Sequence, residues 1–133
     1  SVAISGDLVV VVARSSISLA YVFRTTNGGD SWTQTAKLVT SGAGSDFYES
    51  VAISGDLIVV GAERDATVGE DAGSAYVFRT TNGGDSWTQT TKLIASDAAA
   101  DDMFGGSVAI SGDLVVVGAY RNDDAGSSSG SAY

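Results

Sequence analysis

The chain contains no cysteine, no proline and no histidine. Without cysteine no disulfide can form, and the redox compartment leaves no mark on the sequence. Without histidine the commonest general base and the commonest neutral metal ligand are both missing. A Ser-His-Asp type of nucleophilic catalysis is therefore excluded within the chain, whatever the run Ser127-Ser128-Ser129 suggests. Positive charge is scarce too: 7 Lys and Arg against 16 Asp and Glu leave a formal net charge of -9 at pH 7. A surface of that sign repels phosphate backbones and anionic lipids, so neither nucleic acid nor direct membrane insertion is expected. No apolar run approaches the roughly 20 residues that span a bilayer as a helix. Helix signals are absent as well, since Ala98-Ala99-Ala100 is too short to nucleate one.

What the chain has in plenty is repetition. Ser1-Val2-Ala3-Ile4-Ser5-Gly6-Asp7-Leu8 returns at residues 50–57 and again at 107–114, and residues 21–38 return at 76–93 with one change, Ala36 against Thr91. Repeats of this length are stacked supersecondary units, because one unit alone cannot bury its apolar face. The repeats divide the chain into residues 1–49, residues 50–106 and a partial third copy, residues 107–133. Two and a half copies cannot close a ring by themselves, which leads us to expect a fragment, or the ordered part, of a longer polypeptide.

Each copy reads as four strands. Ser-Val-Ala-Ile turns through Ser-Gly-Asp into an apolar run, with Gly6, Gly55 or Gly112 supplying the positive φ of a two-residue turn. The apolar runs at residues 8–12, 57–60 and 114–117 do not alternate, which predicts strands covered on both faces. A third, alternating strand and a half-polar fourth follow. The fold class expected is all-β: four-stranded antiparallel β-propeller blades, about two and a half of them, from a larger propeller.

The residues also carry a resemblance. Phe104-Gly105-Gly106-Ser107-Val108-Ala109-Ile110-Ser111-Gly112-Asp113, followed by Val117-Gly118-Ala119, resembles the FG-GAP repeat of integrin-α-type β-propellers, most of all the variety found in microbial and algal surface proteins. That resemblance implies a propeller, usually of seven blades, serving as an extracellular or cell-surface binding or adhesion module, with calcium in the loops of some members. The second copy departs from it in having Phe47-Tyr48-Glu49 for Phe-Gly-Gly, and the first in having Val12 where the others have Gly61 and Gly118. Thr25-Thr26-Asn27-Gly28-Gly29-Asp30-Ser31-Trp32, repeated at 80–87, is similar to the Asp-box of sialidases, with Asn where Asp is usual. Its physical content is a hairpin staple in which Trp32 and Trp87 pack over a corner.

Strand parity sorts the acids. Asp7, Asp30, Asp56, Asp85 and Asp113 fall on an edge whose tight turns are constant from copy to copy, and the other acids, from Asp46 to Asp124, fall on the edge whose loops vary. Loops that differ in length and charge on one face are where binding usually lives. On this edge Asn122, Asp123 and Asp124 offer three side-chain oxygens in a Gly-containing loop and are the candidate calcium ligands. The alternative is a solvated acidic loop, since the acids are scattered differently in each copy and no Asp-x-Asp-x-Asp-Gly spacing occurs. No catalytic residue is nominated: the arginines are spread over the copies rather than gathered as a sialidase-like site would need.

The function expected is that of a noncatalytic segment of a surface protein that binds a protein or glycan ligand through the acidic face. The alternatives are a structural subunit or spacer held by neighbouring subunits of a large external assembly and, behind it, part of a sialidase-like glycoside hydrolase.

Overall fold

The computed structural model describes residues 1–13, 19–40 and 50–133. Among them are eleven strands and no helix: β1 Val2–Ser5, β2 Leu8–Ala13, β3 Leu19–Arg24, β4 Thr33–Leu38, β5 Ser50–Ser54, β6 Leu57–Ala62, β7 Ser74–Arg79, β8 Thr88–Leu93, β9 Phe104–Ser111, β10 Leu114–Ala119 and β11 Ser131–Ala132. They form three separate antiparallel sheets in the orders β1-β2-β3-β4, β5-β6-β7-β8 and β11-β10-β9. The all-β architecture of successive blades read from the repeats is therefore the one observed. The first hairpin of each copy closes where Ser5, Ser54 and Ser111 pair with Leu8, Leu57 and Leu114, and the glycine of the turn has φ near +57° in all three. That positive angle at the first central position alone is the geometry a two-residue type II′ turn demands.

The sheets stack face to face. Leu8, Val10, Val22 and Leu38 of the first sheet pack on Val51, Ile53, Ile58, Val60 and Phe78 of the second. The opposite face of the second, with Val59, Ala75, Val77 and Leu93, packs on Val108, Val115 and Val117 of the third. Every copy thus turns the same face toward its successor. Fully burying a valine or leucine side chain stabilises by about 1.5–3 kcal/mol. Such packing outweighs the stitches on the constant edge, where Gly55 N–H donates to Ser5 Oγ at 3.3 Å and Gly112 N–H to Ser54 Oγ at 3.2 Å. The stitches set the register of one sheet on the next.

Unbroken apolar runs were expected to be covered on both faces, and this holds only for β6, which is buried throughout. In β2 burial alternates, and in β10 Leu114 remains 68% exposed and Val116 44%. The sequences are nearly identical, so the cause is position: only the middle sheet has a neighbour on either side among the described residues.

The glycines of the repeat mark where backbones come closest. A Cβ at Gly61 would overlap the carbonyl of Gly105, and one at Gly105, whose φ is +94°, would overlap that of Ser74. The start of β9 therefore threads against β6 and β7, and the isolated bridge between Gly73 and Phe104 fixes it there. Ser50 Oγ donates to Gly105 O at 2.8 Å, completing the junction.

Candidate functional site

The constant edge is a row of stapled turns. Gly29 N–H donates to Thr25 Oγ1 at 2.9 Å and Ser31 N–H to Asn27 Oδ1 at 3.0 Å; the pairs Gly84–Thr80 and Ser86–Asn82 repeat this at 3.0 Å each. Arg24 and Arg79, ending β3 and β7, meet Asp7 and Asp56 of their own sheets at 3.5 Å. Arg24 also reaches across to Asp85 of the next sheet at 2.7 Å. Trp87 packs against the core shared by the first and second sheets and donates Nε1–H to Gly84 O at 3.2 Å, as its turn predicts, whereas Trp32 keeps 42% of its surface exposed. These groups are spent on holding turns together.

The opposite edge is built differently. Its described parts are residues 39–40, 63–73, 94–103 and 120–130; Asp46 and Glu49 lie outside the described residues. Four non-glycine residues adopt positive φ among those described, Asp71, Asp101, Met103 and Ser128, and all four lie here. A left-handed backbone is costly for a residue with a Cβ and persists only where the surroundings impose it. The surroundings are visible: Asp101, Met103 and Phe104 donate their N–H groups to the carbonyls of Glu70, Asp71 and Ala72 at 2.8, 3.1 and 3.0 Å, and Arg121 N–H donates to Asp102 O at 3.3 Å. Three loops are tied into one layer.

Two acids of this edge face inward. Asp65 is 2% exposed, and its carboxylate accepts the hydroxyls of Tyr76 at 2.6 Å, Ser74 and Thr67, and the ammonium of Lys92. Burial by itself pushes that carboxyl up, but Lys92 and the three hydroxyls outweigh it and hold it well below the usual carboxylate range. Asp102, 3% exposed, accepts Ala99 N–H at 2.8 Å. Glu70, Asp97, Asp101, Asp123 and Asp124 are exposed. Asp97 accepts the hydroxyl of Tyr133 at 2.6 Å, which holds Asp97 low and pushes the Tyr133 phenol up to about 12.

The three candidate calcium ligands occupy unlike positions. Asn122 is buried; its Oδ1 accepts Ser131 Oγ–H at 2.8 Å and Asp124 N–H at 3.3 Å. Asp123 is exposed and accepts Ser128 N–H, while Asp124 is exposed to solvent. Among the described residues no three acids converge into a metal-binding group. Asn122 is the structural counterpart of Asp65: each takes its N–H to the carbonyl of Ala119 or Ala62, and each carbonyl accepts Gly130 or Gly73 N–H. The sequence reading of Asn122 as a calcium ligand did not single out this correspondence. The signal was available, because Asp65, Ser74 and Tyr76 recur with the same spacing as Asn122, Ser131 and Tyr133.

The FG-GAP repeat matches residues 32–78 and 87–133, together more than half of the chain. The chain belongs to the FG-GAP repeat family. Its Phe104-Gly105-Gly106 and Val117-Gly118-Ala119 are the stretches that form the tight junctions between and within its sheets. No curated protein matches it. Among the described residues of this FG-GAP chain, no helix is long and apolar enough to cross a membrane.

Proposed function

We propose that this FG-GAP segment is a noncatalytic part of an extracellular or cell-surface β-propeller and binds a protein or glycan ligand through its acidic, variable edge. The observation that carries the reading is the confinement of all four left-handed non-glycine residues to that edge. Strain of this kind clusters at sites that hold a ligand, and here the same layer exposes Glu70, Asp101, Asp123 and Asp124 beside the apolar surface of Val68 and Tyr120, 51% and 53% exposed. Family membership supports the setting, since FG-GAP repeats are typical of surface proteins. A noncatalytic role is supported by the arginines: Arg24 and Arg79 are engaged with Asp7 and Asp56 on one edge, while Arg64 and Arg121 sit on the other.

A glycan array and a pull-down from surface extracts, run with the chain and with Asp123→Ala and Asp124→Ala, test the reading. We expect a ligand whose retention falls on either substitution while the melting temperature is unchanged. Retention indifferent to both, and to Glu70→Ala, sinks it.

A further inference from the structure

The two stapled turns are written in the same residues, Thr-Thr-Asn-Gly-Gly-Asp-Ser-Trp, at 25–32 and 80–87. In both, asparagine precedes glycine. That pair is chemically labile, because the glycine carries no Cβ to keep its nitrogen away from the carbon of the neighbouring side-chain amide. Asn27, Gly28, Asn82 and Gly83 are all exposed, so water reaches them. The N–H groups of Gly28 and Gly83 make no hydrogen bond among the described residues. Asn122 offers the contrast: it is buried and is followed by Asp123.

The folded turn grips the amide at both of its ends. Asn82 Oδ1 accepts Thr80 Oγ1–H at 2.8 Å and Ser86 N–H at 3.0 Å, and Nδ2 donates to Ser86 Oγ at 2.8 Å. Asn27 is held alike by Thr25 and Ser31, at 2.9, 3.0 and 2.9 Å. The amide carbon is free to meet the glycine nitrogen only when these bonds let go. The same cage suits a carboxylate. Both donors to Oδ1 remain, and the Ser86 hydroxyl, which accepts from the amide, rotates to donate to a second oxygen, with the charge strengthening each bond. A positive group stands close as well: Arg24 Nη2 lies 3.5 Å from where a side chain on Gly83 would begin.

We infer that Asn27 and Asn82 are sites of spontaneous deamidation and that the staple selects aspartate as the product. In an opened turn the Gly83 nitrogen gives its proton to a solvent base and attacks Asn82 Cγ. The N–Cγ bond forms, the Cγ–Nδ2 bond breaks, and the amide nitrogen leaves as ammonia with a proton from water. Water then opens the cyclic imide. Cleavage of the new N–Cγ bond yields aspartate, whereas cleavage at the backbone carbonyl yields isoaspartate. Isoaspartate puts an extra methylene into the backbone of a tight turn and, left unstapled, closes again to the imide with loss of water. The hairpin recloses over aspartate, and each conversion adds one negative charge to the constant edge. The inference is independent of the ligand proposed for the variable edge.

The test is incubation of the folded 133-residue chain at mildly alkaline pH, with peptide mapping by mass spectrometry that separates aspartate from isoaspartate. We expect conversion at positions 27 and 82 and none at 122, with aspartate in excess. In urea the reaction should run faster at both positions, with isoaspartate in excess. Thr80→Val removes the hydroxyl that binds Asn82 Oδ1 and also accepts Gly84 N–H at 3.0 Å. It should speed conversion at 82 about tenfold, the size of a lost hydrogen bond, and leave Asn27 in the same molecule as an unchanged internal standard. Asn82→Asp, which needs no ageing, should melt no lower than the parent. Four results would each overturn the inference: isoaspartate in excess at 82 in the folded chain, a rate at 82 indifferent to Thr80→Val, a lowered melting temperature of Asn82→Asp, or no conversion in the folded chain over a period in which the unfolded chain converts fully.

Discussion

The hydroxyl of Tyr76 donates to Asp65 across 2.6 Å, both residues being buried, with Lys92 closing over the same carboxylate and lying 5.1 Å from the centre of the Tyr76 ring. In the third copy the aspartate is replaced by Asn122, and Tyr133 turns to Asp97 instead. One copy is held by a buried charge and the other by a neutral amide, on the same backbone frame.

Replacing the charge is expected to be costly in the second copy. Asp65→Asn leaves Lys92 without its counter-ion and should destabilise by about 3 kcal/mol at pH 7, the scale of breaking a buried pair. The folded carboxyl titrates below its unfolded value near 3.9, so its contribution is complete above about pH 4 and shrinks as the pH falls further. Urea melts of both proteins from pH 7 to pH 2 should therefore converge in acid. A constant gap between them would show that the charge is not what stabilises.

Two glycines separate steric overlap from backbone strain. Gly61→Val copies the residue that the first copy carries at Val12, but its Cβ would run into Gly105 O, and we expect a loss of about 3 kcal/mol or more. Gly112→Val meets no atom within 4 Å, so only its φ of +57° opposes it, at about 1–3 kcal/mol. Chemical denaturation should rank the first as the more damaging.

Tyr133 should be identifiable by absorbance at 295 nm. Its phenol is held in the protonated form and releases its proton at about 12, against an ordinary value near 10. Any stability drawn from its bond to Asp97 is present below pH 10 and lost as the pH rises toward 12. Asp97→Ala should bring that titration back toward the ordinary range; an unmoved curve would rule out the bond.

The open faces make solubility a matter of a few residues. Ile4→Thr with Leu114→Thr exchanges two exposed apolar side chains on opposite outer sheets, and should reduce concentration-dependent association while moving the melting temperature little. Light scattering over a dilution series reads the outcome, and unchanged association would place the sticky surface elsewhere.

Calcium offers the last test. Asn122 Oδ1 is already engaged by Ser131 and Asp124, and Asp123 accepts Ser128 N–H, leaving the loop with two carboxylates, Asp123 and Asp124, one of them already hydrogen-bonded to the backbone. Even if both bound through both oxygens, two carboxylates would supply four of the six to eight oxygens calcium takes. Titration calorimetry with millimolar calcium should show no saturable heat and no rise in melting temperature. A stabilisation that Asp123→Asn and Asp124→Asn both abolish would restore the site.

Repetition in the chain was enough to determine the strands, their turns and the face-to-face stacking, because Ser-Gly-Asp and Asn-Gly-Gly-Asp are local chemistry that folds alike wherever it is written. The sorting of acids into a constant and a variable edge followed from strand parity for the same reason. Only the tertiary structure decided which oxygens of the variable edge turn inward: Asp65 and Asp123 both read as loop acids, yet burial depends on a lysine and hydroxyls delivered from other strands. It alone decided which apolar strands are covered, since β2, β6 and β10 differ in their neighbours and hardly in their residues. It alone gave the reason for Gly61, whose missing side chain makes room for the backbone of a distant residue, Gly105. Local sequence sets local geometry, but coverage and close approach are properties of pairs, and the pairs are chosen by the stack.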